Sequence, residues 1–146
     1  MGEIIVNTDG GARGNPGPAA CAFVVSEKGK VIYKSSKFLG VTTNNQAEYQ
    51  GVLFALEHLS QDQNIFFEKQ IIFILDSELV ARQLAGEYKT KNPELINLLT
   101  KAKLFERKIK AKIFYTVTSR EKNKTADFLV NQQLDSQKKF HVSKDS

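Results

Sequence analysis

Three short apolar runs open the chain, at about Glu3 to Thr8, Ala20 to Ser26 and Lys30 to Leu39. The first, with Ile4, Ile5 and Val6, is β-branched and bounded by turn formers, which predicts a strand, and the other two read the same way. "EKG" at Glu27 to Gly29 predicts a tight hairpin between the second and third. The period then changes. "TTNNQAEYQGVLFALEHLS" reads as a helix that Thr43 or Asn44 caps, with Ala47, Leu53 or Phe54, Leu56 and Leu59 as its apolar stripe. "KQIIFILDS" predicts a fourth strand, apolar on both faces as a central parallel strand should be. Helices follow at about Glu78 to Ala85 and Pro93 to Arg107, the second carrying Leu95, Leu98, Leu99, Ala102 and Phe105 at helical spacing. "AKIFYTVT" is a fifth strand. "KTADFLVNQQLDSQ" is a last helix, with Ala126, Leu129, Val130, Gln133 and Leu134 recurring at helical intervals. The order β-β-β-α-β-α-α-β-α predicts an α/β fold: an antiparallel meander continued by parallel strands into one five-stranded mixed sheet flanked by helices. In such a sheet, ligands gather at the carboxyl ends of the parallel strands.

The 146 residues show no composition shift, which predicts one domain over about 1–136 and a loosely held polar tail, "QKKFHVSKDS", over 137–146. Hydrophobic residues make up 41% and charged residues 25%, an ordinary globular balance. No apolar run approaches the roughly 18 residues of a membrane span. "MGEIIV" lacks the basic region and cleavage site of a signal peptide, so cytoplasm is the expected compartment. A single cysteine, Cys21, excludes an internal disulfide and a Cys-based zinc site, and its apolar strand makes it a core residue. The net charge of +5 suits a polyanionic partner. Lys101, Lys103, Arg107, Lys108, Lys110 and Lys112 crowd one stretch, which reads equally as a solvated helix face or as a phosphate track.

The candidate chemistry lies in the carboxylates. Asp9 ends the first strand, just before Gly10, Gly11, Gly14 and Gly17, which with Pro16 and Pro18 are expected to break regular structure. Asp76 ends the fourth strand. If those strands are parallel neighbours, both carboxylates share one sheet edge, and Glu48 and Asp127, each near the start of a helix, can point at the same spot. So many negative charges need compensation. Hard oxygen donors suit Mg²⁺ or Mn²⁺, and two such ions about 3.5–4 Å apart clamp the attacking and leaving oxygens of a phosphoryl displacement.

Four blocks then stand in order: "TDGGARGNPGPAA", "TTNNQAEYQGVLFALE", "LDSELVARQLAGEYKTKNPELINLL" and "REKNKTADFLVN". Over about Ile4 to Leu134 the chain resembles the type 1 ribonuclease H family. The resemblance implies the ribonuclease H-like fold and a metal-binding catalytic quartet of Asp9, Glu48, Asp76 and Asp127. In that scheme Asp9 bridges two Mg²⁺ ions, with Mn²⁺ a possible substitute. Asp76 and Asp127 hold the ion that activates water, and Glu48 holds the ion beside the leaving oxygen and a ribose 2′-hydroxyl. It further implies an endonuclease that cuts the RNA strand of an RNA/DNA hybrid, leaving 5′-phosphate and 3′-hydroxyl ends; a monomer is expected because one core accounts for the apolar positions. Asn15, Asn44, Asn45 and Gln46 would read 2′-hydroxyls in the hybrid's wide minor groove. The backbone at Gly10 and Gly11 would approach the ribose, Thr43 and Asn92 would grip a DNA phosphate, and Asn123 matches a family partner of Asp127. Without the resemblance, Asn44, Asn45, Asn92 and Asn123 read as helix caps or turn residues.

Three departures accompany it. The loop "TVTSREKNK" lacks the histidine that precedes the last helix in family members, leaving Arg120 or Glu121 near that place. Only "GEYKTKN" stands where some bacterial members carry a basic protrusion. Val41 stands where some members carry an arginine at the DNA-phosphate pocket, which points to some cleavage of double-stranded RNA. The rival reading is a catalytically silent hybrid- or double-stranded-RNA-binding module of the same fold; retention of all four carboxylates argues against it.

Overall fold

The computed structural model describes residues 2–61 and 69–145, with side chains described as far as Gln137. Strands β1 (Glu3–Ala12), β2 (Gly17–Glu27) and β3 (Lys30–Thr42) are followed by helix α1 (Asn44–Ser60). Then come β4 (Gln70–Leu75), α2 (Glu78–Leu84), α3 (Pro93–Lys108), β5 (Lys112–Val117) and α4 (Lys124–Asp145), with a 3-10 turn at Arg120–Lys122. The strands form one sheet in the order β3-β2-β1-β4-β5. Pairing is antiparallel within β1, β2 and β3 and parallel from β1 to β4 and β4 to β5. This is the mixed five-stranded sheet that the order of elements predicts.

Strand alternation sorts the core into two layers. Phe23 and Val25 of β2 pack with α1 and α3, while Ala20, Ala22 and Val24 face α4. The small residues on that second face let α4 lie close to the sheet through Ala126, Leu129, Val130 and Leu134. Cys21 is a buried free thiol, as its apolar strand predicts. The β2–β3 hairpin turns at Lys28 and Gly29, whose φ values of 53° and 77° are those a two-residue type I′ turn requires.

The structure corrects the sequence reading in three places. The glycines do not end β1: Asp9, Gly10, Gly11 and Ala12 stay paired with Ala22, Cys21, Ala20 and Ala19, so Asp9 lies within the strand. Glycine weakens a strand but does not stop its backbone from pairing, and the break is confined to 13–16. Strand β4 is not buried on both faces. Ile71, Phe73 and Leu75 are fully covered, but α4 packs over the β1–β3 side, and Ile72 and Ile74 stay half-buried. Finally, α4 runs on to Asp145, past the Gln137 at which the predicted last helix ended, since neither Gly nor Pro interrupts it.

Candidate active site

Parallel pairing of β1 with β4 stops at Asn7 opposite Ile74, whereas antiparallel pairing with β2 continues to Ala12. Asp9 sits just beyond the point where the strands part, and Asp76 directly follows the last residue of β4. Helix α1 brings in Glu48, and two glycines let it come close enough. A β-carbon on Gly10 would lie 2.0 Å from the carbonyl oxygen of Ala47, and one on Gly51 would lie 2.8 Å from that of Asp9. Both contacts are backbone against backbone, so only glycine fits. Ligand oxygens of Asp9, Glu48 and Asp76 consequently lie within 4.8 Å of one another. Asp127, in the first turn of α4, lines the same cleft of about 530 Å³ without joining that tight trio.

The electrostatics of the trio are unfavourable without a cation. Asp9 and Glu48 are only 4% and 6% exposed. Glu48 Oε1 accepts from the Gly10 N–H at 3.1 Å, but Glu48 Oε2 and Asp76 Oδ2 are buried with no hydrogen-bond partner. Burial pushes the Asp9 carboxyl up to about 7, assisted by the negative charges of Asp76 and Asp127 and opposed by its bond with Glu48. Burial, and then Asp9 itself, holds Glu48 well above the usual range. Asp76 is also raised, chiefly by burial, against the pull of the Arg120 guanidinium 3.7 Å away. Orphaned carboxylate oxygens that would otherwise hold protons are what a hard divalent cation replaces, so this donor set fits such an ion.

A pH dependence follows. The folded state keeps protons on these carboxyls where the unfolded chain has lost them, so metal-free stability should fall as pH rises from about 4 to about 7. Thermal melts in EDTA should therefore show a higher Tm at pH 5 than at pH 7.5, and added divalent cation should raise the pH 7.5 value most. A metal-free Tm that does not fall across this range would contradict the assignment.

Residues 7–133 match the family described as reverse transcriptase-like. Among solved structures, LC11-RNase H1, determined in complex with RNA/DNA hybrid, aligns with a TM-score of 0.87 at 39% identity, covering 91% of this chain and 97% of that one. The chain belongs to the type 1 ribonuclease H family. RNase H1 of Halobacterium salinarum is similarly close, with a TM-score of 0.83 and 34% identity over 92% of this chain and 99% of that chain. A bifunctional protein of Mycobacterium tuberculosis is 33% identical over 135 residues. The present chain spans 36% of that relative's length and 65% of the full Halobacterium ribonuclease HI, to which it is 35% identical.

Within this ribonuclease H fold, the polar residues expected at the substrate fall into two groups. Gly10, Gly11, Asn44 and Asn45 line the cleft with the carboxylates. Asn44 Oδ1 accepts from the Ala12 N–H at 2.8 Å, and Asn15 Oδ1 accepts from the Asn44 N–H at 2.9 Å, which clips the turn to α1. Thr43 and Asn92 cap α1 and α3, and Gln46 bonds both Thr42 and Glu94, which brings the two helix starts together. Asn123 differs: it is buried, donates to the Thr8 carbonyl at 2.8 Å and accepts from Asn7 at 3.0 Å. Its amide holds the start of α4 against β1 and so positions Asp127, instead of facing the cleft. In the basic stretch, Lys103 donates to the Leu84 carbonyl and pairs with Glu106, so it is engaged inside the fold. Arg13, Ser77 and Asn131 line the cleft and had not been singled out. The spacing of Asp127, Asn131 and Asp135 by four residues was the available signal for the α4 wall.

Proposed function

We propose that this chain is an endoribonuclease hydrolysing the RNA strand of RNA/DNA hybrids, with 5′-phosphate and 3′-hydroxyl products. The observation that carries the reading is the trio of buried carboxylates with orphaned oxygens, set in an open cleft at the edge where β1 and β4 part. Asp9, Glu48, Asp76 and Asp127 would hold the metal, proposed to be two Mg²⁺ ions with Mn²⁺ as substitute. When bound, such ions neutralise the carboxylates, acidify an attacking water and stabilise charge on the phosphoryl group. The chain's own residues do the rest. Glu48 is fixed by the Gly10 N–H, and Asn123 and Arg120 set the surroundings of Asp127 and Asp76. Arg120 stands in the loop where the family resemblance leads one to look for a histidine; a guanidinium cannot act as a base at neutral pH, but it can face a phosphate. Asn15, Asn44, Asn45 and Gln46 surround the adjoining wall and are proposed to meet 2′-hydroxyls. The two abutting helix N-termini at Thr43 and Asn92 suit a phosphate of the DNA strand. A monomer in the cytoplasm, with the ribonuclease domain over 1–136, belongs to the same proposal. Among the described residues no helix is long and apolar enough to cross a membrane.

The test is cleavage of a labelled hybrid beside double-stranded RNA and single-stranded RNA, with Mg²⁺ or Mn²⁺, for the parent chain and Asp76→Asn. Internal RNA cuts that fall by on the order of 10³-fold in the variant are expected, since an ion's stabilisation of the transition state amounts to several kcal/mol. Val41 is 72% exposed at the end of β3 and offers no cation, so weak cutting of double-stranded RNA is expected as well. Hybrid binding without cleavage under either metal would favour the silent binding module.

A further inference from the structure

Two arginines line the acidic cleft. Arg120 faces Asp76, whereas Arg13, in the turn after β1, reaches across to α4. Its Nη2 lies 2.7 Å from Asp135 Oδ1 and 3.4 Å from Asn131 Oδ1. Asn131 in turn donates to the Asp127 carbonyl at 3.1 Å, which aims its oxygen at the guanidinium. The ion pair is open to water, with side chains 41% and 59% exposed, so it contributes little to stability and exchanges readily. Both contacts use one nitrogen, leaving the rest of the planar fork for a second acceptor.

A carboxylate and a phosphate offer a guanidinium the same bidentate geometry. Arg13 follows Asp9 by four residues of mostly extended chain, about 13 Å at 3.3 Å per residue, a span that its own side chain partly retraces. A nucleic-acid strand whose phosphate lies at the carboxylates would thus pass a neighbouring phosphate close to Arg13. We infer that Arg13 is a phosphate-binding residue for the cleaved strand, and that Asp135 occupies its guanidinium until that phosphate displaces it. This rests on the nuclease reading above. Asp135 is then an internal competitor of the substrate, and removing it should improve binding, the opposite of what losing a structural tether would do.

The experiment compares the parent, Arg13→Gln, Arg13→Lys, Asp135→Asn and the Arg13→Gln/Asp135→Asn double variant. Hybrid binding is read by fluorescence anisotropy in EDTA across a salt series, and steady-state cleavage is read in Mg²⁺. Arg13→Gln should weaken binding and raise KM by about five- to tenfold with kcat little changed, and should reduce the salt slope by nearly one phosphate. Asp135→Asn should tighten binding by roughly two- to threefold, as expected when a competing exposed charge is removed. The double variant should equal Arg13→Gln, and Arg13→Lys should restore the salt slope but not the full affinity. If both single variants weaken binding, or neither changes it while the parent still cleaves, the phosphate role is overturned and the nuclease stands. Tightening by Asp135→Asn that persists without Arg13 is a general charge effect and also overturns it. A parent chain that neither binds nor cuts the hybrid overturns both readings.

Discussion

Asp9→Asn should lower hybrid cleavage by at least about 10³-fold while raising the melting temperature of the metal-free protein. The two effects have one cause. Asp9 is buried beside Glu48 and Asp76, its carboxyl is pushed to about 7, and among the described residues no ion pair joins it. Above that pH the folded protein holds an ionised group that the unfolded chain would solvate. Raising the carboxyl from its ordinary 3.8 to about 7 sets a ceiling of about 4 kcal/mol. Glu48 and Asp76 share the repulsion and will relax in part, so a gain of about 1–3 kcal/mol is expected at pH 7.5 in EDTA. For a domain of this size that is on the order of 3–10 °C. The gain should shrink at pH 5, where Asp9 in the parent is already protonated. Differential scanning calorimetry at the two pH values, beside the cleavage assay, checks both halves. An Asp9→Asn protein no more stable than its parent at pH 7.5 would show that the carboxylates are not in conflict.

Gly10→Ala should cost about 3 kcal/mol and most of the activity, although it touches no carboxylate directly. The new methyl would meet the Ala47 carbonyl at 2.0 Å and the Glu48 nitrogen at 2.6 Å, and backbone cannot swing aside as a side chain can. Helix α1 must move away from β1, which takes Glu48 from the trio and breaks its bond to the Gly10 N–H. Gly11→Ala is the matched control. Nothing lies within 4 Å of its β-carbon, so stability should change by less than about 0.5 kcal/mol. A cleavage defect at Gly11 without a melting change would place the loss at the substrate. Equal melts for the two variants would disprove the close-approach argument.

Much of the architecture was legible because hydrophobic period and turn chemistry agreed. The apolar run of β2, the β2–β3 turn and the α1 and α3 stripes led to the observed elements, and parallel pairing of β1 with β4 set Asp9 beside Asp76. What was illegible depended on distance. Nothing in "TDGG" says that glycine can continue a strand, because the bonds that keep β1 extended come from β2. Asn123 read as a partner of Asp127 or as a turn residue, and no local pattern signalled that its amide would bond Thr8 and Asn7, residues more than a hundred positions away. Arg13 was invisible for the same reason, since its partners come from α4.

Beyond Asn7, β1 has lost its β4 neighbour but keeps its other side paired, so its free edge exposes backbone donors. An unpaired strand edge invites another chain to add itself. Here the first turns of α1 take the place of the missing strand: Glu48 accepts from Gly10 and Asn44 accepts from Ala12. The match is metric, since four residues of helix rise about 6 Å and two residues of strand about 6.6 Å. A helix thereby satisfies the edge as a strand would, with side chains in place of carbonyls. The bond that blunts the edge also aims one oxygen of Glu48 and leaves the other unspent. Protection against misassembly and orientation of the carboxylate are therefore one constraint, and a one-residue insertion between Asn44 and Glu48 would forfeit both.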